Sequence, residues 1–121
     1  MYIYKMKQNS QLFKGSLSTI ILKLLAENDK MYGYEITKKV KELSNGNVEL
    51  TEGALYPALH KLEADGMLDV KVENIGNRNR KYYSLTKQGK KETKFKLSEI
   101  SDFITQMQQL LNLNPAYNGI K

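Results

Sequence analysis

The side chains best suited to chemistry in this chain are cations, and most of them lie in one stretch. Between Gly76 and Lys96 there are eight basic residues and one acid, which gives a local charge of +7 in a chain whose total charge is +6. A basic stripe in an otherwise balanced domain is typical of a site that binds polyanions. The alternative is a solvated helix face. The basic residues are Arg78, Arg80, Lys81, Lys87, Lys90, Lys91, Lys94 and Lys96.

Other kinds of site lack the residues they need. The 121 residues include no Cys and a single histidine, His60. Thiolate nucleophiles, Cys-ligated metals and sites built from several histidines are therefore excluded. No Gly-rich phosphate loop and no paired carboxylates stand out either. We expect no enzyme, no metal and no cofactor.

The composition is that of one globular domain, with 40% apolar and 26% charged residues. No apolar run approaches the roughly 18 residues that a membrane-spanning helix needs. The first ten residues also lack the apolar stretch of a signal peptide. We therefore expect a soluble cytoplasmic protein that does not contact a membrane.

Apolar periodicity predicts three helices in the first half of the chain. The first covers Leu12 to Leu25, and the second follows Gly33. Thr51 is the expected N-cap of the third, which has Pro57 in its interior. The segment Val48–Leu50 predicts a very short strand before that third helix.

The second half predicts a hairpin and a long helix. Alternation from Leu68 to Val72 and an aromatic run from Arg80 to Leu85 predict two strands joined by a four-residue turn, Gly76–Asn79. A last helix then runs from Thr86 to about Asn112. Its second half carries an apolar seam with alternating steps of three and four, which is typical of a helix that packs on another helix.

This order predicts a mainly helical α+β fold, a winged helix-turn-helix with a dimerisation helix appended. The expected parts are a flexible arm (residues 1–10), the DNA-binding domain (11–86), the dimerisation helix (87–112) and a tail (113–121). The third helix is expected to enter the major groove, since that groove admits one helix. Its outer face would carry Glu52, Gly53, Tyr56, Pro57, His60 and Lys61. The wing would contact phosphates or the minor groove through Asn77, Arg78, Asn79, Arg80 and Lys81.

Four motifs stand in order along the chain: Met31-Tyr32-Gly33-Tyr34-Glu35-Ile36, then Thr51-Glu52-Gly53-Ala54-Leu55-Tyr56-Pro57-Ala58-Leu59, then Leu62-Glu63-Ala64-Asp65-Gly66, then Arg80-Lys81-Tyr82-Tyr83-Ser84-Leu85-Thr86 with Gly89. Together, and at this spacing, they resemble the PadR family of transcriptional regulators, in its short subgroup with a single C-terminal helix. The resemblance covers about residues 12–112.

The resemblance implies a homodimeric repressor of an inverted-repeat operator in double-stranded DNA. In the family the last helix packs on the first helix of the partner, which agrees with the apolar seam. The interface residues expected from the two arguments are Leu17, Ile20, Ile21, Leu97, Ile100, Phe103, Ile104, Met107, Leu110 and Leu111.

Two questions stay open at this stage. Some relatives bind planar drugs at the dimer centre with a Trp on the last helix, but this chain has no Trp and carries Ile100 at that position. A small apolar or aromatic effector at the dimer interface stays open. A winged helix also serves as a protein-interaction module without DNA binding in other proteins, because a fold does not determine a function.

Overall fold

The computed structural model describes residues 11–113, which form four helices and three strands. The elements are α1 (Gln11–Glu27), β1 (Met31–Tyr32), α2 (Gly33–Leu43), α3 (Glu52–Ala64), β2 (Leu68–Ile75), β3 (Arg78–Leu85) and α4 (Lys87–Leu110). Three helices, a hairpin and a long last helix confirm the predicted winged helix-turn-helix. The predicted arm (1–10) and all of the predicted tail except Leu113 lie outside the described residues. None of the described helices is long and apolar enough to cross a membrane.

The hydrophobic core is built around α1. Ile21 and Leu22 are both 0% exposed although successive residues of a helix point about 100° apart, so α1 is covered on more than one side. The helices α2 and α3 and the sheet each contribute a narrower apolar face to this core. Their buried members include Ile36 and Val40 of α2, Leu55, Leu59 and Leu62 of α3, and Tyr83 of β3.

The sheet contains a strand that the sequence did not predict. Its order is β1-β3-β2, so β3 is the central strand and the two residues of β1 pair with the side of β3 that β2 leaves open. In this register Met31 lies opposite Tyr83 and Tyr32 opposite Tyr82. A strand of two residues that leads straight into a helix is too short to show an alternation, which is why the pattern missed it.

The predicted strand at 48–50 is wrong. These residues belong to no strand, and Leu50 is buried as part of the loop that connects α2 to α3. The backbone N–H of Val48 donates to Ser44 Oγ at 2.9 Å, so a side chain takes the place of a strand partner. The alternating apolar residues here reflect loop packing and not β-pairing.

The hairpin turn is shorter than predicted. Ile75 lies opposite Arg78, so the turn consists of Gly76 and Asn77 alone and both flanking strands reach it. Gly76 has a φ of +63°, and Asn77 is not among the residues with positive φ. That combination fits a two-residue turn with Gly at its first central position. Arg78 and Asn79 are therefore strand residues.

The beginning of α3 follows the prediction. Thr51 caps the helix, and its Oγ1 accepts the N–H of Ala54 at 3.3 Å. Pro57 has no N–H to donate toward the carbonyl of Gly53, yet the helix continues past it. Leu55 and Leu59 on either side of Pro57 are both 0% exposed, so core packing holds the helix through this position.

The beginning of α4 is held against the end of α3 and the start of β2. Thr86 Oγ1 accepts the N–H of Gly89 at 2.9 Å and donates to the carbonyl of Gly66 at 2.7 Å. A Cβ on Gly89 would overlap the backbone carbonyl oxygen of Met67. The helix therefore needs glycine here to approach the turn before β2.

We expect Gly89→Ala to destabilise the protein by about 1–3 kcal/mol, because the added methyl forces two backbone segments apart. Gly15→Ala is the matched control, since a Cβ on that helical glycine meets nothing within 4 Å. It should stabilise the protein by about 0.5–1 kcal/mol. Urea denaturation at one protein concentration measures both, and equal midpoints for the two variants would contradict the contact.

Candidate nucleic-acid interface

The outer face of α3 forms as the sequence predicts. Leu55, Leu59 and Leu62 point into the core, and the opposite side of the helix is open to solvent. The exposed predicted residues of this face are Glu52, Gly53, Pro57, His60 and Lys61. A helix with one buried stripe and one exposed face is what insertion into a groove requires.

Tyr56 is the one predicted residue of this face that is only partly exposed. Its hydroxyl lies against Gly33 at the start of α2, where a Cβ would overlap it. The ring centroid is 6.3 Å from that of His60. Tyr56 also lies near Tyr83. The pKa of the Tyr83 phenol is raised, mainly by burial of the ring and to a smaller extent by the nearby Tyr56 and Glu63. Tyr56 thus joins α3 to α2 besides facing outward.

Lys61 is exposed and weakly engaged. Its Nζ lies 3.2 Å from a carboxylate oxygen of Asp65, one helical turn later, and the two side chains are 78% and 49% exposed. An ion pair of this exposure contributes about 0–1 kcal/mol. A phosphate can therefore replace Asp65 as the partner of this ammonium at little cost.

The wing residues divide between the two faces of β3. Side chains alternate along a strand, so Arg78 and Arg80 share a face with Tyr82, whereas Asn79 and Lys81 share the face of the buried Tyr83. Asn77, Arg78, Asn79 and Lys81 are all exposed. Arg78 makes no ion pair with any residue in the range 11–113.

Arg80 differs from Arg78 although both lie on the same face of the strand. It is half-buried, and its guanidinium carbon lies 4.2 Å from the centroid of the Tyr32 ring. A side-chain hydrogen bond with Tyr82, together with the nearby Tyr32, raises the pKa of the Arg80 guanidinium. The structure thus gives Arg80 aromatic partners within the protein.

Sequence reasoning missed three residues beside the wing. Tyr32 and Tyr34 stack with centroids 6.4 Å apart, and Tyr34 is 65% exposed at the first turn of α2. Lys30 forms an ion pair with Glu73 of β2, and its Nζ lies 4.6 Å above the Tyr82 ring. The hydrogen bond to Glu73 raises the pKa of Lys30. Tyr32 and Tyr34 flank Gly33 in the first of the four sequence motifs, but that motif was used only to recognise the family and not to predict a contact.

The residues predicted for the dimer interface fall into three groups, which are buried, half-buried and exposed. Leu17 and Ile21 are 7% and 0% exposed within the single chain, so they fill its own core and have no surface left for a partner. Ile20, Leu97, Ile100 and Met107 are half-buried. The exposed members are Phe103, Ile104 and Leu110 in the second half of α4, and Leu111 directly after it.

An open groove of about 670 Å³ lies between α1, α2 and the middle of α4. Its lining is mainly apolar, with Lys23 and Glu27 among the few charged residues. The apolar side chains that line it are Leu12, Phe13, Ile20, Leu24, Val40, Leu43, Val48, Leu97 and Ile100. Within the described residues, no three His, Asp or Glu side chains group as metal ligands would.

Comparison with known proteins places this arrangement in a family. The model of the transcriptional regulator PadR-like family matches residues 21–94. A transcriptional regulator from Clostridium thermocellum superposes with a TM-score of 0.76, at 31% identity over 84% of this chain and 95% of that chain. PadR from Bacillus subtilis, solved in complex with operator DNA, superposes with a TM-score of 0.61 at 32% identity, covering 67% of this chain and 46% of that one.

The transcriptional regulator YqjI of Escherichia coli is 33% identical over 75 residues, which are 62% of this chain and 34% of YqjI. This chain therefore spans about a third of YqjI and less than half of the B. subtilis PadR chain. The family model matches more than half of this chain and includes α2, α3 and the hairpin. The chain belongs to the PadR-like family of transcriptional regulators, which are not enzymes.

Proposed function

We propose that this protein is a cytoplasmic repressor that binds an inverted-repeat operator in double-stranded DNA as a homodimer. The observation that carries the proposal is the exposed, uncompensated charge of the wing beside an exposed face of α3. Support comes from the B. subtilis relative, whose structure contains operator DNA. The proposal assigns sequence reading to α3 and phosphate contacts to both elements.

In this proposal α3 lies in the major groove. Its exposed face presents His60 and Lys61, and the partly exposed ring of Tyr56 lies beside His60. Glu52 and Gly53 lie at the N-terminal end of α3, where backbone N–H groups point outward. The helix dipole is positive there, and in this chain the carboxylate of Glu52 already complements it.

The wing supplies the salt-dependent part of the binding. Arg78, Lys81 and the amides of Asn77 and Asn79 are all exposed, and the strands carry them to the tip of the hairpin. Arg78 is the first residue of β3 after the turn and Lys81 follows on the same strand, so paired strand backbone carries both cations toward a phosphate or a narrow minor groove. Tyr34, which stacks on Tyr32 at the root of the wing, is 65% exposed.

A second copy of this chain is the proposed occupant of the apolar groove. The end of α4 projects beyond its own protomer, with Phe103, Ile104 and Leu110 between 50% and 72% exposed. The groove between α1 and α2 offers the matching apolar surface. Two-fold symmetry lets each α4 fill the groove of the other copy, and a two-fold protein calls for an inverted repeat.

The same interface is where we propose that a small apolar or aromatic effector binds. The groove is lined mainly by aliphatic side chains, and the chain has no Trp to stack on a planar drug. An effector would occupy the part of the groove that the partner's α4 leaves open, and it would act by changing how the two copies pack and therefore the spacing of their α3 helices.

Arg78→Ala should weaken binding to every duplex and flatten the dependence of log K on log salt by about 0.9, the value for one phosphate contact. Lys41→Ala is the matched control, since it removes the same charge from the far end of α2, where Lys41 pairs with Glu49 at 3.4 Å. Fluorescence anisotropy over a range of salt concentrations measures both slopes. An unchanged slope in Arg78→Ala would remove Arg78 from the phosphates.

Lys61→Ala should weaken operator binding by about 1–3 kcal/mol if it contacts a base edge or a phosphate from α3. The free energy of unfolding should change by less than about 1 kcal/mol, because the Lys61–Asp65 pair is exposed. Anisotropy and urea denaturation give the two values. Full operator affinity in this variant would mean that α3 faces elsewhere, as it would in a protein-interaction module.

Ile104→Asp should separate the dimer, because it places a carboxylate in the centre of the proposed apolar contact. Thr105→Asp introduces the same charge on the next, exposed position of α4, about 100° around the helix, and should leave the dimer intact. Sedimentation velocity at micromolar concentration distinguishes the two variants. A wild-type monomer under these conditions would contradict the proposed interface.

A further inference from the structure

The outer face of the sheet carries a cluster of aromatic rings and cations, here called the wing-root cluster: Lys30, Tyr32, Arg80 and Tyr82. Two of its contacts are between a cation and a ring, Arg80 with Tyr32 at 4.2 Å and Lys30 with Tyr82 at 4.6 Å. The two rings meet edge to face, with centroids 5.5 Å apart and planes at 75°. Each cation therefore lies on a ring that also contacts the other ring.

The wing-root cluster joins parts of the protein that are distant in sequence. Arg80 and Tyr82 belong to β3, and Lys30 is tied to β2 through its ion pair with Glu73. Tyr32 is the residue before α2, and its backbone N–H donates to Glu35 Oε1 at 3.1 Å in the first turn of that helix. Both strands of the hairpin are thus connected to the start of α2.

The connection continues from α2 to α3. Gly33 follows Tyr32 directly, and the hydroxyl of Tyr56 packs on it. A change in the angle of the wing at Tyr32 therefore acts on the same backbone that Tyr56 contacts. Residues 32–35 therefore form one connection between the hairpin and the outer face of α3, beside the anchor that the buried Tyr83 provides in the core.

Arg78 and Arg80 make an internal comparison of the two roles that an arginine can have here. They lie two residues apart on the same face of β3, but Arg78 is exposed while Arg80 is half-buried over Tyr32. If Arg80 turned to a phosphate it would lose its ring contact and expose Tyr32. Arg78 is therefore available to bind DNA, whereas Arg80 already has an aromatic partner in the protein.

We propose that Arg80 is a positioning residue, which through its stack on Tyr32 holds the wing at the angle that DNA binding requires, and that it does not contact phosphate. This inference rests on the proposed DNA-binding function. Loss of the stack lets the hairpin sample other angles. The apparent affinity then falls in proportion to the fraction of wings that remain competent.

The position of the wing can be tested without DNA. Because the chain has no Cys, Asn77→Cys gives a single site for a nitroxide spin label at the hairpin tip. We expect Arg80→Ala and Tyr32→Leu to increase the mobility of that label, and Arg78→Ala to leave it unchanged. Equal label mobility in labelled proteins with and without Arg80→Ala would overturn the proposal, whether or not the protein binds DNA.

Operator binding gives the second readout. Arg80→Ala and Tyr32→Leu should each weaken binding about threefold to fivefold, with the salt slope unchanged. Combining them should add little to either, because both remove the same contact. Tyr32→Phe retains the ring and should keep most of the affinity. A salt slope flattened by about 0.9 in Arg80→Ala would show a phosphate contact and overturn the proposal.

These outcomes distinguish the inference from the function on which it rests. If the wild-type protein binds no duplex while Arg80→Ala mobilises the label, the proposed function fails but Arg80 still positions the wing. If the wild type binds an operator but neither the label mobility nor the affinity responds to Arg80→Ala, the positioning role of Arg80 fails and the proposed function remains. A urea denaturation midpoint for each variant confirms that the compared proteins are folded.

Discussion

The wing can act on a partner only because the burial of Tyr83 fixes its root in the helical core. This ring is 1% exposed, and its strand residue pairs with Met31 on one side and Val70 on the other. An isolated hairpin is at best marginally stable in water. With Tyr83 among the core residues that pack with α1 and α3, the root of the hairpin is fixed to the helices, which is the condition for charges at its tip to hold a defined position.

Two opposite uses of surface follow from this anchoring. On the outer side of the sheet, Arg80 and Lys30 each contact a tyrosine ring of the same chain. Arg78, next to the turn, is exposed. On the far side of α1, the chain exposes aliphatic side chains and an apolar groove of about 670 Å³. Exposed apolar patches of this kind mark sites of association. One chain thus separates a polar, charged face from an apolar one.

Most of the fold was predictable because long helices and paired strands repeat their pattern. The stripe of Leu55, Leu59 and Leu62 and the cap at Thr51 were read correctly from spacing alone. Short elements were not, since Met31–Tyr32 shows no period and Val48–Leu50 shows one without forming a strand. Burial in Val48–Leu50 comes from a loop closing over the core, which no local pattern reports.

The candidate site was predictable by residue type but not by partner. Their charge predicted the same role for Arg78 and Arg80. Only the structure shows different surroundings, because the Tyr32 ring that Arg80 contacts comes from a segment about fifty residues earlier in the chain. Leu17 and Ile21 were assigned to an interface from the family resemblance and the apolar character of the first helix, and within the single chain they are core residues because α1 is covered on several sides. Assignments of single residues to DNA or to a partner chain remain predictions.

The most direct test of the central claim is selection of the purified wild-type protein on a pool of random duplexes at about 100 mM salt, followed by sequencing of the bound DNA. The account predicts enrichment of an inverted repeat whose half-sites lie about one helical turn, roughly 10 base pairs, or a multiple of it apart. Retention of no duplex, or of duplexes without any enriched sequence, would contradict it.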